Sequence, residues 1–368
     1  MDSLIKGMDL STLLEVEACG GRFSDHGVPG EAMAILKGYG MNLVRLRLWN
    51  DPFAPDGRPY GAGVCDLAHT RALARRAREL GVDWLLDFHY SDFWADPGKQ
   101  YPPKAWQGLD AAGLERAVYE YTRSVLETLR AEGLLPAMVA VGNELSNGLL
   151  WPLGRTPRFD HIARFVSAGI RAVREVDPAI VTMIHLDNGG NNTLCRTWFD
   201  SYLAAGGADF EVIGLSYYPF WHGTMADLKR NMDDLALRYG KDLIVAETSM
   251  GFTLEDYGTR EGLAPEERRG MAATAKLAAD ISYPMTPWGQ AVFLADLART
   301  LRQVPEGRGK GFIYWEPAWI PVPGSHWATE AGVEYIHEKG PGGNEWANQA
   351  LFDYDGRALT ALEIIRQL

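Results

Sequence analysis

Two glutamates stand where an apolar run stops. Glu144 follows MVAVGN (138–143) and Glu247 closes DLIVAE (242–247). Two carboxyl groups facing each other can cleave a glycosidic bond, one donating a proton to the leaving oxygen while the other attacks the anomeric carbon or activates water. The alternative is that each glutamate only pairs with an arginine. Arg45 and Arg47 sit in NLVRLRLW (42–49), and the two-residue period of a strand puts both on one face. Either could hold an ionised carboxylate, and either could form an ion pair at the end of the strand. Other polar groups close further apolar runs: Asp87 and His89 in DWLLDFHY, followed by Asp92 and Trp94; His185 and Asp187; Tyr217 and Tyr218; Trp315, Glu316 and Trp319. His89 and His185 could meet around a metal, but no HxH or HExxH spacing supports one, and none is expected.

These residues need elements that bring strand ends together. Apolar runs at 4–9, 42–49, 83–90, 138–143, 180–186, 211–217, 242–247 and 311–315 read as eight strands. Amphipathic stretches such as 67–80, 113–132 and 159–176 lie between them, and Gly81 closes the first of these. Strand–helix alternation repeated eight times predicts an α/β fold, a (β/α)8 TIM barrel formed by one domain over 1–368, whose strand ends converge on one rim. An open doubly wound sheet is the competing architecture, but no Gly-x-Gly-x-x-Gly follows the first strand, which removes the dinucleotide-binding version. The longest connections, 253–290 after strand seven and 316–350 after strand eight, fall on the same rim.

Bulk composition narrows the partners. The 368 residues are 46% hydrophobic and carry a net charge of −12, with no Lys/Arg run, so nucleic acid is not an expected partner. No run of about 18 apolar residues suggests a membrane span. Three cysteines without CxxC spacing argue against a disulfide framework or a zinc cluster. The N-terminal residues show no basic segment followed by an apolar one, so no signal peptide is read, which leaves the cytoplasm or secretion after removal of a leader. Twelve tryptophans are present, and Trp94, Trp106, Trp151, Trp221, Trp315, Trp319 and Trp327 all follow strand ends. A sugar ring presents C–H groups that pack on aromatic faces, so such positions suit a sugar groove, whereas Trp84 and Trp198 are expected to fill the core.

Longer segments carry a resemblance. KGMDLSTLLEVE (6–17), NLVRLRLWNDP (42–52), LLDFHYSDFWADPGKQYPPKAW (85–106), VGNELSNGLLWP (141–152), IGLSYYPFWHGT (213–224), AETS (246–249) and YWEPAW (314–319) resemble glycoside hydrolase family 53, the endo-β-1,4-galactanases, in barrel order and over essentially the whole chain. The resemblance implies a retaining hydrolase acting on β-1,4-galactan or type I arabinogalactan, with Glu144 as acid/base and Glu247 as nucleophile. Arg45 then matches the strand-two arginine that holds the nucleophile. Tyr218 is its expected hydroxyl donor, with Tyr217 the alternative. Asn143 is expected on the sugar 2-hydroxyl, His89 in the same subsite and Trp315 as the platform, with Asp92, Trp94 and Trp319 in support. Glu316 is expected to point away. The competing readings are another retaining β-glycanase of the same clan and a non-catalytic sugar-binding barrel. The partner is a polysaccharide or oligosaccharide, and a monomer is expected. No cofactor is expected. Several bacterial members hold a calcium ion in the loop after strand seven, but here 253–262 (TLEDYGTREG) has neither Asn nor His, and Arg260 stands where a cation would. Arg260 is expected to pair with Glu255, Asp256 or Glu261 in place of the ion.

Overall fold

A computed structural model describes residues 4–368; Met1–Ser3, the start of the segment read above for a leader, lie outside the described residues. Eight parallel strands close into a barrel: β1 (Ile5–Asp9), β2 (Leu43–Leu48), β3 (Asp83–Phe88), β4 (Met138–Val141), β5 (Val181–Leu186), β6 (Val212–Ser216), β7 (Asp242–Thr248) and β8 (Gly309–Tyr314). β1 completes the ring by pairing with both β2 and β8. Eight helices follow the strands in turn: α1 (Ala32–Gly38), α2 (Leu67–Glu79), α3 (Ala111–Ala131), α4 (Phe159–Val176), α5 (Asn192–Ala204), α6 (Met225–Tyr239), α7 (Pro287–Arg302) and α8 (Ala361–Gln367). Several of these helices start at side-chain caps the sequence supplies: Asp66 accepts from the His69 amide, Asp110 from Gly113, and Thr224 forms a reciprocal box with Asp227. None of the described helices is long and apolar enough to cross a membrane.

The strands build two cores because their side chains alternate. Outward residues such as Val44, Leu46, Leu86, Phe88, Ile184, Ile213 and Val245 pack against the helices. Inward residues fill the lumen in layers. The lower layers are apolar, with Leu43, Leu85, Met138, Met183, Val212 and Ile244. Two residues further up β2, β3 and β5 come Arg45, Asp87 and His185; two more bring Arg47, His89 and Asp187 to the mouth. The polar residues noted in otherwise apolar runs are therefore the upper layers of one lumen.

Two features were not expected from sequence. A short antiparallel hairpin, Phe23–Asp25 with Val28–Gly30, lies between β1 and α1. On β7 the pairing to β6 slips between Leu215 and Ser216, so that Leu215 faces Val245 but Ser216 faces Glu247. Pairing to β8 slips at the same height. One residue is thus inserted near Ala246, and such a bulge re-aims the side chain that follows it.

Candidate active site

The register of β1, β2 and β3 sets Asp9 beside Arg45 and Arg47 beside Asp87. Arg45 becomes a hub. Its Nη1 donates to Asp9 Oδ2 at 2.7 Å, and its Nη2 lies 2.7 Å from Asp87 Oδ2, 2.8 Å from Asn143 Oδ1 and 2.7 Å from Glu247 Oε1. Arg47 instead pairs with Asp9 and with Glu316 at 2.7 Å, and its guanidinium lies over the rings of Trp94 and Trp315. The choice left open between the two arginines thus resolves by register: Arg45 reaches Glu247, and Arg47 braces the aromatic wall. Tyr218 donates to Glu247 Oε2 at 3.1 Å, whereas the Tyr217 hydroxyl turns away to the Gly223 carbonyl.

Glu144 approaches from the other side. Its backbone is left-handed (φ 48°, ψ 58°) directly after the strand, a conformation that costs a residue with a Cβ ~1–3 kcal/mol. Ser216 lies 2.6 Å from its Oε1. A carboxylate oxygen of Glu144 and one of Glu247 lie within 4.8 Å of each other and of a His185 ring nitrogen. Both nitrogens of that histidine are already hydrogen-bonded, Nδ1 to Asn143 and Nε2 to Ser216, so the three groups form a network rather than a ready set of metal ligands.

Environment separates the two acids. Burial raises the pKa of both. Glu144 is pushed well above the usual carboxyl range, because the negative charges of Glu247 and Asp187 add to its desolvation. Glu247 is opposed by Arg45. Glu144 is therefore the better holder of a proton, and Glu247, beside Arg45, the better holder of a charge.

The cleft encloses about 320 Å³ and is lined by Glu144, Glu247, Asn143, His89, Arg47, Tyr218, Trp94 and Trp315, joined by Asp96, Asp187, Trp221, Trp327, Glu345 and Trp346. The His89 Nδ1 accepts from the Trp49 indole and the Ala95 amide, so its proton lies on Nε2, 3.1 Å from Asp87 Oδ2. Trp94 stacks on Trp327 with rings 14° apart, and Trp315 meets Trp346 at 4.5 Å between centroids.

Two expected supporting residues lie elsewhere. Asp92 is wholly buried and receives the amides of Asp51 and Lys104, so it ties loops together beneath the cleft. Trp319 is also buried, packed behind Trp315 with its indole donating to Ser325; it faces the core because the chain turns after β8. Trp106 and Trp151 do not line the cleft either. Glu316 points away as expected, bonded to Arg47 and Thr12, with burial pushing its carboxyl up to about 8. Trp346 was missed, since it lies deep in the last long loop, where no periodicity marks an inward face. Arg260 pairs with Asp355 at 2.6 Å, not with an acid of its own loop, because the 353–357 turn lies closer to its guanidinium.

A parallel eight-stranded barrel whose rim holds two facing carboxyls in contrasting electrostatic surroundings, walled by tryptophans, belongs to the class of barrel glycosidases. The sequence comparison narrows this class. The model of glycosyl hydrolase family 53 matches residues 5–365, and the chain belongs to that family. The endo-β-1,4-galactanase of Bacillus subtilis (strain 168) is 36% identical over 385 residues, covering 98% of this chain and 85% of the relative. Among solved structures, the family 53 catalytic domain of Ignisphaera aggregans superposes with a TM-score of 0.90 at 38% identity, over 99% of this chain and 95% of that one. A fungal β-1,4-galactanase gives a TM-score of 0.80 at 29% identity with full coverage of both chains.

Proposed function

We propose that this glycoside hydrolase is a retaining endo-β-1,4-galactanase in which Glu247 is the nucleophile and Glu144 the acid/base. The observation that carries the reading is the short separation of two carboxyls in opposite environments. Retaining enzymes hold their carboxyls ~5–5.5 Å apart, and inverting ones ~6.5–9.5 Å apart to admit a water. The oxygens here, within 4.8 Å, fall on the short side. In the first step a Glu247 oxygen attacks the anomeric carbon while Glu144 gives its proton to the departing glycosidic oxygen. In the second, Glu144 takes a proton from water, the water oxygen bonds to the anomeric carbon, and Glu247 leaves as a carboxylate held by Arg45 and Tyr218. One Asn143 amide proton goes to the Ala95 carbonyl, which leaves the other for the sugar 2-hydroxyl. Trp94 and Trp315 offer aromatic faces to the C–H patch of the pyranose. The substrate is taken from the relatives, which are β-1,4-galactanases by name.

The donor set of the 253–262 loop does not fit calcium. Asp256 caps the Gly258 amide, and Asp355, which faces the loop through Arg260, is held by Arg260 and Arg357. The site chemistry proposed here uses only side chains.

The test is linear β-1,4-galactan followed over time. A ladder of oligomers should appear, with the β-anomer formed first by proton NMR; an α-anomer, or faster cleavage of β-mannan or β-glucan, overturns the reading. Glu144→Ala should keep activity on substrates with good leaving groups and be rescued by azide. Rescue in Glu247→Ala instead, with an inverted product, would exchange the two roles.

A further inference from the structure

The hydrogen bonds behind Glu144 have a direction that the donors and acceptors determine. The Asn143 amide is fixed at both ends: its Oδ1 accepts from Arg45 at 2.8 Å, and its Nδ2 donates to the Ala95 carbonyl at 2.8 Å. His185 Nδ1, 2.9 Å from that Oδ1, must therefore carry a proton. A neutral imidazole then has a bare lone pair on Nε2, and the atom facing it at 2.9 Å is Ser216 Oγ. The same Oγ lies 2.6 Å from Glu144 Oε1. Ser216 has one hydrogen to share between a histidine lone pair and a carboxyl group.

We propose that His185 is a positioning residue which, through Ser216, presets Glu144 as the proton donor. While Glu144 is protonated, its hydroxyl donates to Ser216 Oγ and Ser216 donates to His185 Nε2, so every group is paired. Once Glu144 has given its proton to the leaving group, the Ser216 hydroxyl swings round to donate to the carboxylate. The Oγ and Nε2 lone pairs then face each other, and that opposition favours return of a proton to Glu144 from the attacking water. The cycle needs no net proton through the relay; the Ser216 hydroxyl only reverses its sense.

His185 is kept from taking a proton itself. Burial and the Arg45 guanidinium lower its pKa to about 3, although Asp87 opposes them. The charged and titratable groups facing this network are Arg45 from β2, Asp87 and His89 from β3, and Asp187 from β5. Tyr218 beyond β6 and Glu247 on β7 complete the enclosure, with Asp96 from the loop after β3. None of them reaches Ser216 Oγ, whose hydrogen-bond partners are His185 and Glu144.

The proposal rests on Glu144 being the acid, and two isosteres separate its parts. Asparagine places an N–H near Nδ1 and nothing at Nε2; glutamine places an oxygen near Nε2 and nothing at Nδ1. His185→Asn should lower the alkaline limb of kcat/KM by about one pH unit, the size of one lost hydrogen bond. His185→Gln should leave that limb near its wild-type position and raise KM instead, because Asn143 loses its donor. In a Ser216→Ala background the His185→Asn shift should vanish. An equal shift with and without Ser216, equal shifts for both isosteres, or no shift overturns the relay. Nitrogen-15 NMR of histidine-labelled wild-type protein gives a reading independent of folding of the variants and of activity. His185 should be the Nδ1–H tautomer across the active pH range, and an Nε2–H tautomer overturns the relay even if azide rescue upholds Glu144 as the acid.

Discussion

Replacing Tyr218 by phenylalanine removes one hydroxyl and little else. The ring stays packed against Phe220, Trp221 and Trp346, with centroids 5.7, 5.7 and 5.3 Å away, so the fold should persist. The lost bond runs to Glu247 Oε2 at 3.1 Å. Bonds to charged groups contribute ~1.5–3 kcal/mol, and this one is longer than a short ionic O–H···O contact, which places it near the low end, ~1.5 kcal/mol. That corresponds to about one pH unit or a tenfold rate change. The hydroxyl stabilises the carboxylate, so its loss favours the protonated form, and the acid limb of kcat/KM should move up by about one unit. The two chemical steps respond differently. Attack consumes the negative charge, so an unassisted carboxylate is no worse a nucleophile on the plateau. Its departure from the sugar regenerates the charge without the donor, so the second step should slow about tenfold. Stopped-flow release of an aryl leaving group should then show a burst larger than that of the wild-type protein. An acid limb that stays put or moves down, together with an unchanged burst, would refute this account of how the nucleophile is held.

Three further outcomes are expected. Arg45→Lys should abolish activity and lower stability by ~3 kcal/mol or more in denaturant unfolding, because an ammonium cannot fork to Asp9, Asp87 and Glu247 at once and leaves buried carboxylates uncompensated; wild-type stability would sink that view. Glu316 is held at about 8 in the folded protein against 4.5 ordinarily, so the folded state binds the extra proton and stability falls as pH rises between those values. Glu316→Gln should remain active and show a shallower decline over that window in pH-dependent thermal melts, and an unchanged slope would count against it. Metal-stripped protein should melt at the same temperature with and without calcium, and a rise abolished by Asp256→Ala would show that the 253–262 loop binds the ion after all.

Much of the site was legible because a strand has only two faces. Arg45, Arg47, Asp87, His89, His185 and Glu247 could be placed at the mouth from apolar runs and their period, and the strands observed fall within two residues of the runs that announce them. Legibility failed where the period stops. Asp92 and Trp319 lie one turn beyond a strand end, and there the loop, not the pleat, decides which way a side chain faces. Trp346 and the 23–30 hairpin belong to connections with no repeat at all. The bulge that aims Glu247 comes from a slip between neighbouring strands, which a single strand's pattern does not contain. The role of Ser216 was not legible because its partners arrive from β4 and β5; only the assembled barrel shows that one hydroxyl lies between a histidine and the acid.

The left-handed backbone at Glu144 has a consequence for selection. That conformation is accessible to glycine at no steric penalty, and a glycine would also remove the buried carboxyl that faces Glu247. A substitution that ends catalysis should therefore make the barrel sturdier. Directed evolution of this scaffold for heat resistance, if scored by soluble protein alone, will drift toward inert variants at position 144. Only a screen that demands turnover in every round keeps the glutamate there.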